Sequence, residues 1–185
     1  MMQMRNLKQL LYVEKTIGHL PGIDVGHRFC SRTEMVAVGL HSNWISGIDY
    51  MGQKYIKEER YKGYTFPLAV SIVLSGQYED DNDNSEEIEY TGQGGNDLLG
   101  TKHQVKNQEL KNGNLALKNS MDQSIPVRFI RGQPSDNKGF KAYTYDGLYK
   151  VYDYRLDEGK SGFFVYKFLL KRLEGQPKLE SNKVI

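Results

Sequence analysis

Apolar positions along the chain alternate between two spacings, and the changes of spacing mark its elements. Near the start Met4, Leu7, Leu10 and Leu11 recur every three or four residues, which predicts an amphipathic helix over residues 1–16. Gly18 and Pro21-Gly22 close it and open a turn-rich entry, GHLPGIDVGHRF. From Phe29 to Leu40 the β-branched and aromatic content predicts a strand, and the following HSNWISGIDY predicts a loop with Trp44 as its large exposed side chain. The charged, tyrosine-rich KYIKEERYKGYTF at 54–66 predicts a surface excursion. Pro67 then precedes LAVSIVLSG, a continuous apolar run that ends at Gly76 and predicts a buried strand. Lys102 to Lys118 predicts a segment that is helical in part, and IPVRFIRG another strand. YTYDGLYKVYDYR predicts a Tyr-Asp-Gly turn between tyrosine-rich strands, and SGFFVYKFLLKRLEG a long alternating strand. Strands dominate. The fold class expected is α+β, a curved, partly barrel-like antiparallel β-sheet with a few flanking helices.

Length and composition narrow the function classes. At 185 residues the chain is long enough to bury a core without disulfides or a metal. Hydrophobic residues make up 38%, and no apolar run approaches the roughly 20 residues that cross a bilayer. MMQMRNLKQLLYVEK lacks the apolar core and small-residue cleavage site of a secretion signal, which predicts an intracellular protein, and the lone Cys30 agrees. A net charge of +2 neither requires nor excludes nucleic acid. Its distribution says more: residues 79–89 carry acids and no lysine or arginine, whereas Lys102, Lys106, Lys111 and Lys118 share 101–118 with the single acid Glu109. A phosphate-facing patch and an unevenly charged solvated surface both fit that segregation.

Candidate chemistry concentrates in YEDDNDNSEEIEYTGQGGNDLLG at 78–100. Two tyrosines, a carboxylate cluster and a hydroxyl flank a glycine-rich bend, an inventory suited to a flat polar ligand: rings to stack on it and oxygens to read its edge. Asp81-Asn82-Asp83-Asn84-Ser85 opens like a calcium loop, but Glu86 stands where glycine is needed and Gly92 where a bidentate glutamate is needed. Gly95 to Lys102 has the glycine spacing of a phosphate-binding loop with Thr101 and Lys102 in the wrong order. His19, His27, His41 and His103 are scattered, which predicts surface or capping roles and no zinc site. Cys30 is expected as a small buried strand residue. No catalytic triad assembles.

Several motifs occur together and in order: GHLPGIDVG at 18–26, SGIDY at 46–50, SIVLSGQYEDDNDN at 71–84, YTGQGG at 90–95, GNLAL at 113–117, PVRFIRG at 126–132, YTYDGLYKV at 143–151 and LEGQP at 173–177. In these the chain resembles the SET- and RING-associated (SRA/YDG) domain, a module that binds 5-methylcytosine in duplex DNA by flipping the base out of the helix. The wording is most similar to the plant SU(VAR)-type histone lysine methyltransferases that carry the domain ahead of a SET domain. The resemblance implies a leader helix at 1–17, the domain at 18–180 and a tail at 181–185. It implies a binding module, not an enzyme, with neither cofactor nor metal, since no SET motif or cysteine-rich zinc segment follows.

For the site, the resemblance implies that Tyr78 and Tyr90 sandwich the base, Asp81 accepts from the cytosine amine, Thr91 touches the base and its methyl, and the Ser75, Gly76, Gln77 bend completes the edge. Flipping costs a few kcal/mol and stacking returns about 1–3 kcal/mol per base, so two rings and edge hydrogen bonds offset it. The methyl itself is worth only about 1–3 kcal/mol, a discrimination of roughly 10–200-fold. Trp44, Ile45 and Ser46 take the place of one DNA-entering loop, with Ile45 as an apolar wedge. Thr101, Lys102 and His103 take the place of the second, where the best-known animal members carry Asn-Lys-Arg. With only the lysine kept, strict preference for hemimethylated CG is not expected. Lys106 and Arg131 are further phosphate contacts. The partner implied is methylated double-stranded DNA, with histone contact left to the parent's other domains, no membrane, and a location in the nucleus at chromatin. Two alternatives stay open: a modification-dependent endonuclease with magnesium on Glu79, Asp80, Asp81 and Asp83, and a histone-binding or interdomain docking module.

Overall fold

The computed structural model describes residues 14–75, 82–83 (backbone only), 86–96, 103–134 and 141–179. The strands are β1 (Arg28–Phe29), β2 (Ile48–Met51), β3 (Leu68–Leu74), β4 (Asn82–Asp83), β5 (Glu87–Thr91), β6 (Val127–Pro134), β7 (Lys141–Glu158) and β8 (Phe164–Arg172). Two α-helices accompany them, α1 (Arg32–Ala37) and α2 (Asn112–Asp122), with 3-10 turns at Gln53–Lys57 and Glu59–Tyr61. The predicted helix over 1–16 lies outside the described residues up to residue 13, and 14–16 are not helical.

Among the described residues all eight strands join one sheet, in the order β2-β3-β6-β7-β8-β5-β4 with β1 on β7. The path ends at β2 and β4 and does not close, so the α+β expectation holds while the barrel-like part of it does not. Nor is the sheet wholly antiparallel: β3 and β6 run parallel, Ser71 opposite Arg128 through Leu74 opposite Arg131. β3, with neighbours on both sides, is buried at all seven positions, as its unbroken apolar run predicted. It contributes to all three apolar clusters: Ile72 and Leu74 to the main one, Val73 to a second with Met35 and Tyr145, and Leu68 and Val70 to a third. Against β3 lies α2, whose small residues Gly113, Ala116 and Ser120 fall on one helical face. Ser120 Oγ accepts from Ala69 N at 3.0 Å and donates to Ala69 O at 3.2 Å, so the helix closes onto strand backbone.

Four local expectations are corrected. The strand predicted over 29–40 ends after Phe29 and gives way to α1, where Ser31 Oγ accepts from Glu34 N and Glu34 Oε2 from Cys30 N at 2.6 Å. Ser-Arg-Thr-Glu is a capping-box sequence, and it overrides the β-branched content that follows. Cys30 is exposed, not buried, because it sits outside that cap. The excursion at 54–66 turns its aromatics inward: Tyr55, Tyr61 and Phe66 form the third cluster while its lysines and glutamates face water. Tyr145-Asp146-Gly147 is no turn but lies within the unbroken eighteen-residue β7, at a register shift opposite Phe129 and Ile130.

That shift is a knot between distant segments. Tyr145 Oη meets His19 Nδ1 at 2.8 Å, Arg131 Nε donates to Asp146 Oδ2 at 2.8 Å, and Gly147 takes φ +105° beside Gln176. Gln176 in turn accepts from Leu148 N and donates to Leu148 O, behaving as one more strand residue. Arg128, fully buried, donates to the carbonyls of Thr16, Gly18 and Leu40, and its burial pushes the guanidinium down to about 10.

Candidate nucleic-acid interface

Two loops face each other at one end of the sheet. The first, 41–47, leads into β2 and is fixed at its base. His41 is 0% exposed, with Nδ1 2.8 Å from Ser71 Oγ on β3 and Nε2 2.9 Å from Ser46 O. A carbonyl only accepts, so Nε2 carries the proton and Nδ1 accepts from the serine hydroxyl. Desolvation lowers the imidazole to about 4; Asp49 and the bond to Ser46 oppose that, and Arg32 and Arg128 reinforce it. Arg32 Nη1 also donates to Ser46 O at 3.1 Å, Asn43 Oδ1 accepts from Ile45 N and Ser46 N, and Asp49 Oδ2 accepts from Ser42 N at 2.7 Å. The expectation of a surface histidine is therefore wrong for His41, while His19, His27 and His103 are exposed.

This scaffold presents Ile45, 69% exposed, at the loop tip. Trp44, expected as the exposed side chain, is half-buried, and Ile45, at the bend held by Asn43 Oδ1, takes the exposed place.

The second loop is the glycine-rich 92–96 after β5, and buried amides hold its backbone. Gln108 Nε2 donates to Gly92 O at 2.6 Å and Gln104 Nε2 to Gly94 O at 2.8 Å. Gln93 N donates to Asn114 Oδ1 at 2.8 Å, and Asn114 Nδ2 to Gln93 O at 3.0 Å. A β-carbon on Gly92 would lie 2.5 Å from Asn114 Oδ1, so glycine is what lets that clamp approach. Gln104, Gln108 and Asn114 carry no chemistry of their own and were missed as site residues. The signal available was a glycine-rich turn followed by uncharged amides ahead of a helix.

Between the loops lies a cleft of about 370 Å³, lined by Ile45 and Ser46 on one side, Gln93 and Gly95 on the other, and Lys106 and Lys111 along its wall. Lys111 pairs with Glu109 at 2.9 Å, and Lys106 is exposed. The cleft combines an apolar tip, amides and positive charge, a surface suited to a polyanion with flat bases.

Of the predicted pocket residues, Tyr90 and Thr91 lie at the end of β5, opposite Phe168 and Lys167. Tyr90 is 2% exposed and packs in the main cluster, its hydroxyl end directly under Gly47 of the first loop. Thr91 is buried, and its Oγ1 accepts from the buried Lys167 Nζ at 3.3 Å. Lys167 was also missed, because a lysine in an alternating strand reads as solvent-facing. Ser75 is buried at the end of β3, its carbonyl accepting from Lys141 Nζ. Gly76, Gln77, Tyr78, the acidic residues Glu79, Asp80 and Asp81, and Thr101 and Lys102 lie outside the described residues. His103 is exposed at a bend next to Gln104, which bridges Asn96. Arg131, expected as a phosphate contact, is turned into the sheet by its ion pair with Asp146, a carboxyl that burial pushes up and Arg131 draws back. Of the two positions expected to contact phosphate, Lys106 is the exposed one.

Comparison with known proteins gives a consistent picture. The family described as the SAD/SRA domain matches residues 16–176. The H3 lysine-9 specific histone-lysine N-methyltransferase SUVH4 of Arabidopsis thaliana is 56% identical over 183 residues, covering 98% of this chain and 29% of that protein. Among solved structures, KRYPTONITE in complex with mCHG DNA and SAH is similar with TM-score 0.93 and 55% identity, over 98% of this chain and 38% of that one. The SUVH5 SRA complex with fully methylated CG DNA is similar with TM-score 0.72 and 43% identity, over 89% of this chain and 99% of that one. The chain thus spans under a third of the length of that curated relative.

Proposed function

Because this chain belongs to the SAD/SRA domain family, we propose that it is a non-catalytic reader of methylated duplex DNA that holds a flipped 5-methylcytosine and brings an attached histone lysine methyltransferase to methylated chromatin in the nucleus. The family match takes up residues 16–176 of 185. The observation that carries the reading is the exposed Ile45 on a loop pinned from below, facing a cleft that holds the exposed Lys106 and the Lys111–Glu109 pair, across from a clamped glycine-rich loop. A rigid apolar tip beside a basic cleft is what insertion into a base stack requires.

The base is read between Tyr78 and Tyr90, with Asp81 accepting from its exocyclic amine and Thr91 against its methyl. A carboxylate selects an amine donor and repels the carbonyl that uracil or thymine presents there. Solved relatives bound to mCHG DNA and to fully methylated CG DNA support a context wider than hemimethylated CG.

The test is fluorescence polarisation with methylated and unmethylated duplexes. The wild-type chain binds the methylated duplex roughly 10–200-fold more tightly, and Asp81→Ala abolishes that preference with the fold intact by circular dichroism. An Asp81→Ala variant that keeps wild-type preference and strength refutes the pocket.

A further inference from the structure

A side-chain contact joins the two loops that flank the cleft. Ser46 Oγ donates to Gln93 Oε1, from the wedge loop to the glycine-rich loop forty-seven residues further along the chain. Both ends of this bridge are anchored in the core. Behind Ser46, its carbonyl is held by His41 and Arg32, and His41 reaches β3 at Ser71. Behind Gln93, both backbone groups are held by Asn114, buried in the first turn of α2. The Gln93 side chain has little room elsewhere, since a β-carbon on Gly113 would lie 2.6 Å from its Nε2. The result is one polar line from β3 to α2 that crosses the floor of the cleft.

Resting on the reading above, we propose that Gln93 is a positioning residue for base flipping: through Ser46 it fixes the height and direction of the Ile45 wedge relative to the glycine-rich loop. Without the bridge the two loops are still folded, each by its own anchors, but their separation is no longer set. A wedge must occupy the gap left by the base while the pocket holds that base, so the bridge matters for the flipped complex and not for loose contact with phosphates. Gln93 touches neither base nor backbone in this role.

The experiment is a double-mutant cycle with Gln93→Met, which keeps length and removes the acceptor, and Ser46→Ala, read on methylated and unmethylated duplexes. A 2-aminopurine beside the methylated cytosine reports unstacking by its brightening. Each single variant loses about tenfold in affinity for the methylated duplex, the value of one hydrogen bond. The 2-aminopurine signal at saturation falls, and the ratio of methylated to unmethylated affinity falls with it. The double variant is no weaker than either single one within twofold, and Ser46→Thr, which keeps a hydroxyl, retains wild-type signal. Losses that multiply to about a hundredfold, or a Gln93→Met chain that binds and brightens as wild type does, overturn the inference and leave the reader function standing. A wild-type chain that does not distinguish methylated from unmethylated duplex overturns both.

Discussion

Acidification tests the anchor beneath the wedge loop. His41 has no exposed surface, its two ring nitrogens are already engaged, and burial lowers it from 6.5 to about 4. Between those values the unfolded imidazole binds a proton that the folded one refuses, so stability is full above pH 6.5 and falls as pH drops toward 4. The difference of about 2.5 units, at 1.36 kcal/mol per unit, gives about 3 kcal/mol over the whole window and about 2 kcal/mol by pH 5. That is a large share of the stability of a domain this size. The assay is the urea midpoint of the wild type and of His41→Gln, whose amide offers a donor and an acceptor and does not titrate, at pH 7, 6 and 5. Carboxylates contribute to both proteins alike, so the quantity that matters is the difference between the two pH slopes. Wild type loses about 2 kcal/mol more than His41→Gln between pH 7 and pH 5. Parallel slopes would refute the assignment of a neutral, buried imidazole.

Two further outcomes follow from the fold and the cleft. Gly147→Ala forces a side chain into φ +105° and places its β-carbon 2.3 Å from Gln176 Oε1; strain of about 1–3 kcal/mol lowers the thermal midpoint, and an unchanged midpoint would contradict the geometry. Lys106→Ala weakens methylated and unmethylated duplexes equally and reduces the slope of log K against log salt by about one, measured by polarisation across a salt series; selective loss on the methylated duplex would place Lys106 at the base instead.

How far the sequence reaches differs from element to element. The buried run at 68–74 and the alternating strand at 164–172 were readable because each element's own spacing determines its burial. The parallel pairing of β3 with β6 was not, since nothing in either strand records which neighbour it will meet. At 145–147 the sequence shows an Asp-Gly pair, and hairpin turns and strand bulges both use a glycine at positive φ; the difference is set by His19, Arg131 and Gln176 from elsewhere in the chain. At 54–66 the charges dominated the reading, although rings and charges on one short turn segregate to opposite sides.

The interface divides in the same way. Ile45 was singled out through the SRA/YDG resemblance, and the structure places it exposed at the loop tip. Arg131 was misread because its partner Asp146 is fifteen residues away and buried. His41, Gln104, Gln108 and Asn114 were invisible because their work is to hold backbone. An amide in a polar stretch looks the same whether it faces water or the carbonyl of a distant loop.

The length of β7 has a consequence for how the molecule comes apart. Its first half pairs with β6 and its second with β8, so the sheet's two wings share one continuous ribbon and neither is a separate body. Opening either wing strips one side of the same backbone and exposes the aromatic pair Phe129 and Tyr149 at the junction. Amide protons along Tyr143–Val151 should therefore exchange with solvent only when the whole chain opens, as one cooperative event. Damage at the far wing is then felt at the end that carries the cleft.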